Sequence, residues 1–273
     1  MTNRIGIIGF GNMGSAIAEQ IKPKYQIWTF DKDKNKTKNL LDINIADNAV
    51  DILNKVDIVI LAVKPQDFDA ILNEIKDYIR EKLVISIAAG ITTGYIGRFL
   101  GKVRVIRVMP NMPARIGKGM SCICKGKFAD KEDLNFVKDL FNNLGKTLIL
   151  DEDMMDAATA ISGSGPGYLY DWSEGKDTEE IKKYIKHIFT PSLTSAAQDI
   201  GFTPEQAKIL AETTSEGSIV FLEKTKLSPC ELKRQITSKG GTTEAALEVL
   251  HKGGSLADAV KAAVRRAREL SKG

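Results

Sequence analysis

The sequence lacks long apolar runs and is poor in residues that bind metals. No apolar stretch approaches the ~20 residues that cross a bilayer. The N-terminus also lacks the pattern of a signal peptide, so we expect a cytoplasmic protein without a membrane partner. The chain has 3 cysteines and 2 histidines. The odd number of cysteines favours reduced thiols, and with so few ligands we expect no metal site.

A strong excess of one charge is also missing. The 39 basic and 35 acidic residues leave a net charge of +4, spread along the chain. Nucleic-acid-binding proteins usually concentrate positive charge on one face, so we expect a small-molecule substrate and no nucleic acid. With 43% hydrophobic and 27% charged residues, the composition is that of a folded globular protein. At about 150 residues per domain, the 273 residues indicate two domains.

The first half alternates apolar runs with helical patterns, which predicts an α/β fold: an N-terminal Rossmann-like, doubly wound and mostly parallel sheet. The predicted strands are Ile5–Ile8, Gln26–Phe30, Ile58–Val63, Leu83–Ala88, Val103–Val108, Ser121–Cys124 and Thr147–Leu150. The predicted helices are Gly14–Ile21, Asn35–Leu41, Phe68–Tyr78, Tyr95–Leu100 and Lys131–Leu144.

The second half carries helix signals and no strand pattern. Pairs of Thr or Ser with Pro predict helix starts, because the hydroxyl caps a helix and Pro is tolerated in its first turn. These pairs are Thr190–Pro191, Thr203–Pro204 and Ser228–Pro229, and two further helices are predicted at Glu244–Leu250 and Leu256–Leu270. We therefore predict a dinucleotide-binding domain over 1–151 and an all-helical domain over 152–273.

A glycine-rich segment follows the first predicted strand and opens a predicted helix. Its residues are Gly9, Phe10, Gly11, Asn12, Met13 and Gly14. In dinucleotide-binding folds the first glycine allows a tight turn, the second lets a pyrophosphate approach the backbone, and the third lets helix and strand pack closely. Because a strand precedes this segment and a helix follows it, the segment predicts a site for NAD(P).

Other strand ends supply further candidate cofactor contacts, since open α/β sheets bind ligands at the carboxyl ends of their strands. Asp31 lies where an acid usually accepts the ribose hydroxyls of NAD, whereas Lys32 or Lys34 is placed to hold the 2′-phosphate of NADP. The choice between NADP(H) and NAD(H) therefore stays open. The remaining candidates at strand ends are Ala62, Val63, Lys64, Pro65 and Asn111.

Two glycine-rich segments interrupt the helical half. One spans Ser162–Pro166, and the other runs from Thr237 into a predicted helix. Backbone N–H groups at a glycine-rich helix start form a pocket for an anion such as a carboxylate. The candidate substrate-binding residues are Gly240, Gly241, Thr242 and Thr243.

The order of these motifs resembles that of pyrroline-5-carboxylate reductases over nearly the whole chain. The motifs are Gly9–Gly14, Ala62–Pro65, Ser86–Gly90, Val108–Asn111, Ser162–Pro166 and Ser238–Thr243. The resemblance implies NAD(P)H-dependent reduction of 1-pyrroline-5-carboxylate to L-proline, the last step of proline biosynthesis. It also implies that the helical domain dimerises, giving a homodimer or higher homo-oligomer. Thr243 would be the catalytic donor to the imine nitrogen, and the N–H groups of Gly241, Thr242 and Thr243 would hold the substrate carboxylate.

Three alternatives remain: a reductase of a related cyclic imino acid, a 3-hydroxyacid dehydrogenase-like enzyme, and a regulator that binds NAD(P) without turnover. The second is disfavoured because ketone reduction usually needs a Lys, His or Tyr acid, and no lysine follows Ser162–Pro166 until Lys176. Three features depart from the resemblance: Gly167 replaces the usual alanine, Lys239 stands where proline is common, and the chain between Pro166 and Gly201 is longer.

Overall fold

A computed structural model describes residues 4–271 and divides them into two compact units. The first unit contains residues 4–108 and 123–152, and the second contains 109–122 and 153–271. The segment 109–122 therefore groups with the second unit, although it lies in the first half of the sequence. Among the described residues, no helix is both long and apolar enough to cross a membrane.

The first unit is built on a sheet, which confirms the predicted α/β class. The strands are β1 Arg4–Ile8, β2 Gln26–Phe30, β3 Asn44–Ile45, β4 Ile58–Leu61, β5 Leu83–Ser86, β6 Arg104–Pro110, β7 Gly119–Lys125 and β8 Gly145–Ile149. Their spatial order is β3-β2-β1-β4-β5-β6-β7-β8, and the neighbours from β3 to β6 pair in parallel. β4 and β5 are buried along their whole length and, except for Ser86 at the end of β5, apolar, as expected when helices cover both faces of a parallel sheet.

The strand register brings three sequence motifs to one edge of the sheet. Ile8 at the end of β1 pairs with Phe30 of β2 on one side and with Leu61 of β4 on the other. Strands β2 and β3 lie on one side of β1, and strands β4 to β8 lie on the other, so the strand order changes direction next to β1. Such a switch point, at the carboxyl ends of the strands, is where open α/β sheets bind ligands. The residues that follow these strands, Gly9, Asp31 and Ala62, therefore start from the same edge.

Helices of the first unit are α1 Asn12–Ile21, α2 Ala49–Leu53, α3 Phe68–Ile75, α4 Thr93–Leu100 and α5 Lys131–Phe141. Those of the second unit are α6 Met155–Ala158, α7 Gly165–Trp172, α8 Thr178–Tyr184, α9 Thr190–Asp199, α10 Pro204–Thr225, α11 Pro229–Ile236, α12 Thr242–His251 and α13 Leu256–Leu270. The predicted starts at Thr203 and Ser228 are confirmed, because each side chain caps its helix in a reciprocal capping box.

Two predicted helix limits were wrong. Asn35–Leu41 is no helix but a 3₁₀ turn over Lys34–Thr37, which begins where the Asp33 side chain accepts the Asn35 N–H. Thr190 starts no separate helix, because α8 continues into α9 through a π-helical turn over Ile185–Phe189. Pro191 has no N–H and crowds the carbonyl four residues earlier, and a widened π turn accommodates such a disruption.

Candidate active site

A cavity of about 490 Å³ lies at the carboxyl edge of β1, β2 and β4. The predicted residues among those lining it are Gly9, Gly11, Asp31, Lys32, Ala62, Val63 and Lys64. The cavity wall also includes Lys36, Gln66 and Asp67, which were not among the predicted site residues. The predicted residues Phe10, Asn12, Met13, Gly14 and Pro65 are not among the lining residues of the cavity.

The three glycines of the Gly9–Gly14 motif differ in how much space a side chain would have at their positions. Gly9 has a φ of +97°, and a Cβ there would lie 2.7 Å from the Ala62 carbonyl. A Cβ on Gly14 would lie 2.1 Å from the Gly9 oxygen, so the chain itself requires glycine there. A Cβ on Gly11, in contrast, would meet no protein atom within 4 Å. The space in front of Gly11 is therefore open to a ligand, which fits a pyrophosphate approaching the backbone.

Two described helices begin after a glycine and without a side-chain cap, whereas the other uncapped helices follow a 3₁₀ or π-helical turn. Helices α2, α4, α5, α8, α10, α11 and α13 each start with an Asn, Thr, Asp or Ser whose side chain accepts a first-turn N–H. Within residues 4–271, α1 and α12 instead start after Gly11 and Gly241 and receive no side-chain cap. Their first-turn N–H groups are available to anions, which the helix dipole also attracts.

Asp31 is an internally bonded anion at the edge of the cavity. Its carboxylate accepts the Phe10 N–H at 2.7 Å and the Asp33 N–H at 2.8 Å, and it receives the Lys36 ammonium at 3.2 Å. Burial alone would raise the pKa of Asp31, but the backbone N–H bonds and Lys36 outweigh it and lower that pKa below its usual value. Asp31 therefore also holds the glycine loop through Phe10.

Asn111 lies in the second unit and is only 2% exposed. Its carboxamide oxygen accepts the Met120 N–H at 2.8 Å, and its amide nitrogen donates to the Ser162 carbonyl at 3.1 Å. These two bonds connect the strand exit to Met120 and to the segment around Ser162. The structure thus gives Asn111 a structural role, and contact with a cofactor stays a prediction.

Three hydroxyls meet at the start of α12. The Thr243 hydroxyl donates to Ser164 Oγ at 3.1 Å, and the Thr242 and Ser164 hydroxyls are hydrogen-bonded at 2.9 Å. Ser164 is buried and was missing from the predicted site residues. The sequence signal for it was the glycine-rich motif Ser162–Pro166, in which it lies. In the structure, a π-helical turn over Thr159–Gly163 ends immediately before Ser164, and α7 starts immediately after it.

The loop before α12 is held by bonds of its own. Gly240 has a φ of +69°, donates its N–H to the Glu244 carboxylate at 2.6 Å and accepts Arg266 Nε at 2.7 Å. The Gly241 N–H donates to the Ser238 carbonyl at 2.9 Å. The predicted donors Gly240 and Gly241 therefore already have acceptors. Among the predicted substrate-binding residues, the N–H groups of Thr242 and Thr243 have no acceptor within the described part of the chain, so they are left for an anion.

Gly167 packs directly against Thr243. A Cβ at position 167 would lie 2.5 Å from Thr243 Cγ2, closer than side-chain atoms can approach. The next atom, Ile236 Cγ2, is 3.6 Å away. Glycine at this position thus provides the space that the Thr243 methyl group occupies while its hydroxyl faces Ser164.

The longer segment between Pro166 and Gly201 is tied, through the end of α7, to both helices that flank the 237–241 loop. Asp171 accepts Lys233 Nζ of α11 at 2.8 Å and contacts His251 Nε2 of α12 at 3.0 Å. Burial would lower the pKa of Lys233, but its bonds to Asp171 and Glu174 raise it, so the ammonium stays charged. The segment therefore anchors the loop from two sides.

Two sequence families match the chain, one in each half. The family described as NADP oxidoreductase coenzyme F420-dependent matches residues 4–90, and the family described as pyrroline-5-carboxylate reductase dimerisation matches residues 185–270.

Individual proteins are similar over nearly the full length. The pyrroline-5-carboxylate reductase of Arabidopsis thaliana is 33% identical, and the match covers 98% of this chain and 95% of the relative. A solved structure of a pyrroline-5-carboxylate reductase from Coxiella burnetii is 31% identical, with a TM-score of 0.67 and 100% of both chains covered. A Plasmodium falciparum pyrroline carboxylate reductase solved with NADP bound is 30% identical, with a TM-score of 0.64, covering 99% of this chain and 98% of that one.

Proposed function

This chain belongs to the pyrroline-5-carboxylate reductase family, and from that premise we propose that it reduces the C=N bond of 1-pyrroline-5-carboxylate to L-proline with NAD(P)H. The observation that carries the proposal is the uncapped first turn of α12 beside the hydroxyls of Ser164, Thr242 and Thr243. This arrangement offers donors for a carboxylate and for a ring nitrogen, which are the two polar groups of the substrate.

The substrate carboxylate binds the first turn of α12. The N–H groups of Thr242 and Thr243 donate to it, and the positive end of the helix dipole adds to the attraction. The Thr243 hydroxyl donates to the ring nitrogen. A cyclic imine is basic, so a hydroxyl is a sufficient donor for it, whereas ketone reduction usually needs a stronger acid. The hydroxyl donor thus favours an imine over a 3-hydroxyacid.

The cavity of the first unit binds the dinucleotide, which supplies the hydride when bound. The open space at Gly11 and the first turn of α1 bind the pyrophosphate, while Ala62, Val63 and Lys64 form the neighbouring wall. Asp31 lies at the adenosine end. Hydride addition to the carbon of the C=N bond and uptake of one solvent proton by the nitrogen give the secondary amine of proline, which stays hydrogen-bonded to the Thr243 hydroxyl.

The helical region 152–273 forms the dimer in this proposal, since the dimerisation family matches residues within it. Light scattering with size-exclusion chromatography tests this part directly. A mass of two chains or a multiple of two supports it, and a monomer at assay concentrations contradicts it.

The decisive experiment follows the loss of NAD(P)H absorbance with purified protein and 1-pyrroline-5-carboxylate, using NADPH and NADH in parallel. A related cyclic imino acid and a 3-hydroxyacid (with the oxidised cofactor) are the comparison substrates. Preferred turnover of 1-pyrroline-5-carboxylate supports the proposal. Cofactor binding without turnover of any substrate contradicts it and favours a role as a regulator that binds NAD(P).

Changing Gly167 to alanine is expected to lower kcat/KM by about tenfold. The new methyl group overlaps Thr243 Cγ2, so Thr243 must shift and its bond to Ser164 is lost. Overpacking of this kind also costs about 1–3 kcal/mol of stability. Steady-state kinetics and thermal unfolding measure the two effects. Gly97→Ala, where a Cβ meets no atom within 4 Å, is the matched control; full activity of Gly167→Ala would show that the Thr243 position is not critical.

Changing Asp171 to asparagine is expected to raise KM by about three- to tenfold with a smaller change in kcat. The variant weakens the link between α7 and the two helices flanking the substrate loop, while Lys233 keeps its contact with Glu174. Losing a charged hydrogen bond of this kind costs about 1.5–3 kcal/mol, part of which the remaining partner offsets. Asp177→Asn, a capping change at the start of α8, is the control for stability alone. An equal rise in KM in both variants would argue against a specific role for Asp171.

A further inference from the structure

The charges around Asp31 leave one question about the proposed dinucleotide site: which form of the cofactor it selects. An acid at this position usually accepts ribose hydroxyls and favours NAD(H), because its charge repels the 2′-phosphate of NADP(H). That role requires a carboxylate with free acceptor positions. In this chain the Asp31 side chain is 6% exposed, and most of its acceptor positions are already used.

Two backbone donors and one ammonium group occupy the carboxylate. The Phe10 N–H binds one oxygen and the Asp33 N–H binds the other. Lys36 Nζ lies 3.2 Å from Oδ1 and 3.3 Å from Oδ2, so it bridges both oxygens. An ionised carboxylate offers about four acceptor positions, and these three groups leave little capacity for ribose hydroxyls.

Lys36 is the cation of this lysine-rich turn that pairs with Asp31. Its neighbours are differently engaged: Lys32 Nζ donates to Asp67 at 2.8 Å, and Lys38 Nζ donates to Asn35 at 2.7 Å. The 3₁₀ turn over Lys34–Thr37, capped by Asp33, brings position 36 back toward the end of β2. Lys36 is also 44% exposed and lines the cavity, so its ammonium group is accessible to a ligand.

We infer that Lys36 determines cofactor choice and makes the site selective for NADPH over NADH. It neutralises Asp31, which removes the charge that repels a 2′-phosphate, and it competes with ribose hydroxyls for the same carboxylate oxygens. It also supplies a cation for the phosphate. This inference rests on the proposed function only for the presence of a dinucleotide site. It assigns the selectivity to Lys36 rather than to Lys32, which is bonded to Asp67, or to Lys34, which does not line the cavity.

Nucleotide fragments test the inference without turnover. Adenosine 2′,5′-bisphosphate and 5′-AMP carry the two forms of the adenosine end, and calorimetry or competition against NADPH fluorescence gives their Kd values. The wild-type protein is expected to bind the bisphosphate about tenfold more tightly, and Lys36→Met should reduce that preference by about tenfold or more. Lys36→Gln is the second variant in case Lys36→Met folds poorly. Lys38→Met removes the same charge from a position bonded to Asn35 and should change the preference by less than about threefold.

The outcomes distinguish a specific effect of Lys36 on the bound nucleotide from a general effect of losing one positive charge. Equal changes in Lys36→Met and Lys38→Met would overturn the inference, because overall charge would then explain them. Wild-type preference for 5′-AMP would also overturn it. In an Asp31→Asn background the Lys36→Met effect should shrink, since the two residues act as a pair. Failure of the wild-type protein to bind any of these nucleotides would instead reject the dinucleotide site, and with it the proposed function.

Discussion

Thr243→Ala is expected to lower kcat/KM by about ten- to a thousandfold, equivalent to about 1.4–4 kcal/mol of transition-state stabilisation. The variant removes the hydroxyl proposed to donate to the ring nitrogen as its charge changes during hydride addition. It leaves the Thr242 and Thr243 N–H groups in place, so the carboxylate still binds. The loss should therefore be mainly in kcat, with a smaller rise in KM. Steady-state kinetics with 1-pyrroline-5-carboxylate measure both values.

Three further variants separate the hydroxyl from the packing around it. Thr243→Ser keeps the hydroxyl and removes the methyl group that packs on Gly167, so it should retain most activity. Thr243→Val keeps the shape and removes the hydroxyl, so it should match alanine. Ser164→Ala leaves Thr243 its hydroxyl without the partner at 3.1 Å, and an intermediate loss is expected. Equal activity of the valine and serine variants would show that the hydroxyl takes no part in the reaction.

Ser164 also explains how Thr243 is held before substrate binds. In the structure the Thr243 proton is donated to Ser164, so donation to a substrate nitrogen requires that bond to reverse. Ser164 is suited to this, because its own hydroxyl is already bonded to Thr242 and can turn to donate to Thr243 instead. The hydroxyl group of Ser164 is thus a positioning group, and its loss should affect orientation more than folding.

Regular patterns explain what the sequence predicted well. Buried parallel strands read as continuous apolar runs, and capped helices begin at Thr203 and Ser228 with side chains that act locally. Both signals depend on neighbouring residues, so they can be recognised in one dimension. The glycine motif shares this property, because strand, turn and helix follow one another directly.

Features that depend on distant residues were not predictable in the same way. Ser164 and Thr243 are 79 positions apart and meet only through the packing of α7 and α12. Of the four lysines at positions 32, 34, 36 and 38, Lys36 is the one that is hydrogen-bonded to Asp31. This pairing depends on the 3₁₀ turn over Lys34–Thr37, which the lysine-rich sequence did not reveal. The π turn before Pro191 was missed for a different reason. A Thr-Pro pair is typical of a helix start, but here the pair lies inside a continuous helix.

The second large effect is expected from alanine substitutions in the glycine loop, and those at Gly14 and Gly11 should have different consequences. Gly14→Ala places a Cβ 2.1 Å from the Gly9 oxygen, a backbone atom that cannot move without distorting the loop. It should therefore lose about 1–3 kcal/mol of stability or more and also lose cofactor binding. Gly11→Ala meets no protein atom within 4 Å, and the Gly11 backbone is extended. Its stability should stay unchanged, while the Kd for the dinucleotide rises by about ten- to a hundredfold, or about 1.4–2.7 kcal/mol.

Thermal unfolding and nucleotide titration on the same samples give the two readouts. Gly97→Ala, inside α4 with open space at its Cβ, should be slightly stabilised by about 0.5–1 kcal/mol and bind the cofactor normally. This control separates the general effect of replacing glycine from the effect of the loop. A stable Gly11→Ala that binds NADPH and NADH as tightly as the wild type would mean that no phosphate approaches this backbone. The cofactor site would then have to lie elsewhere, because the open space at Gly11 is where this loop lets a pyrophosphate approach the backbone.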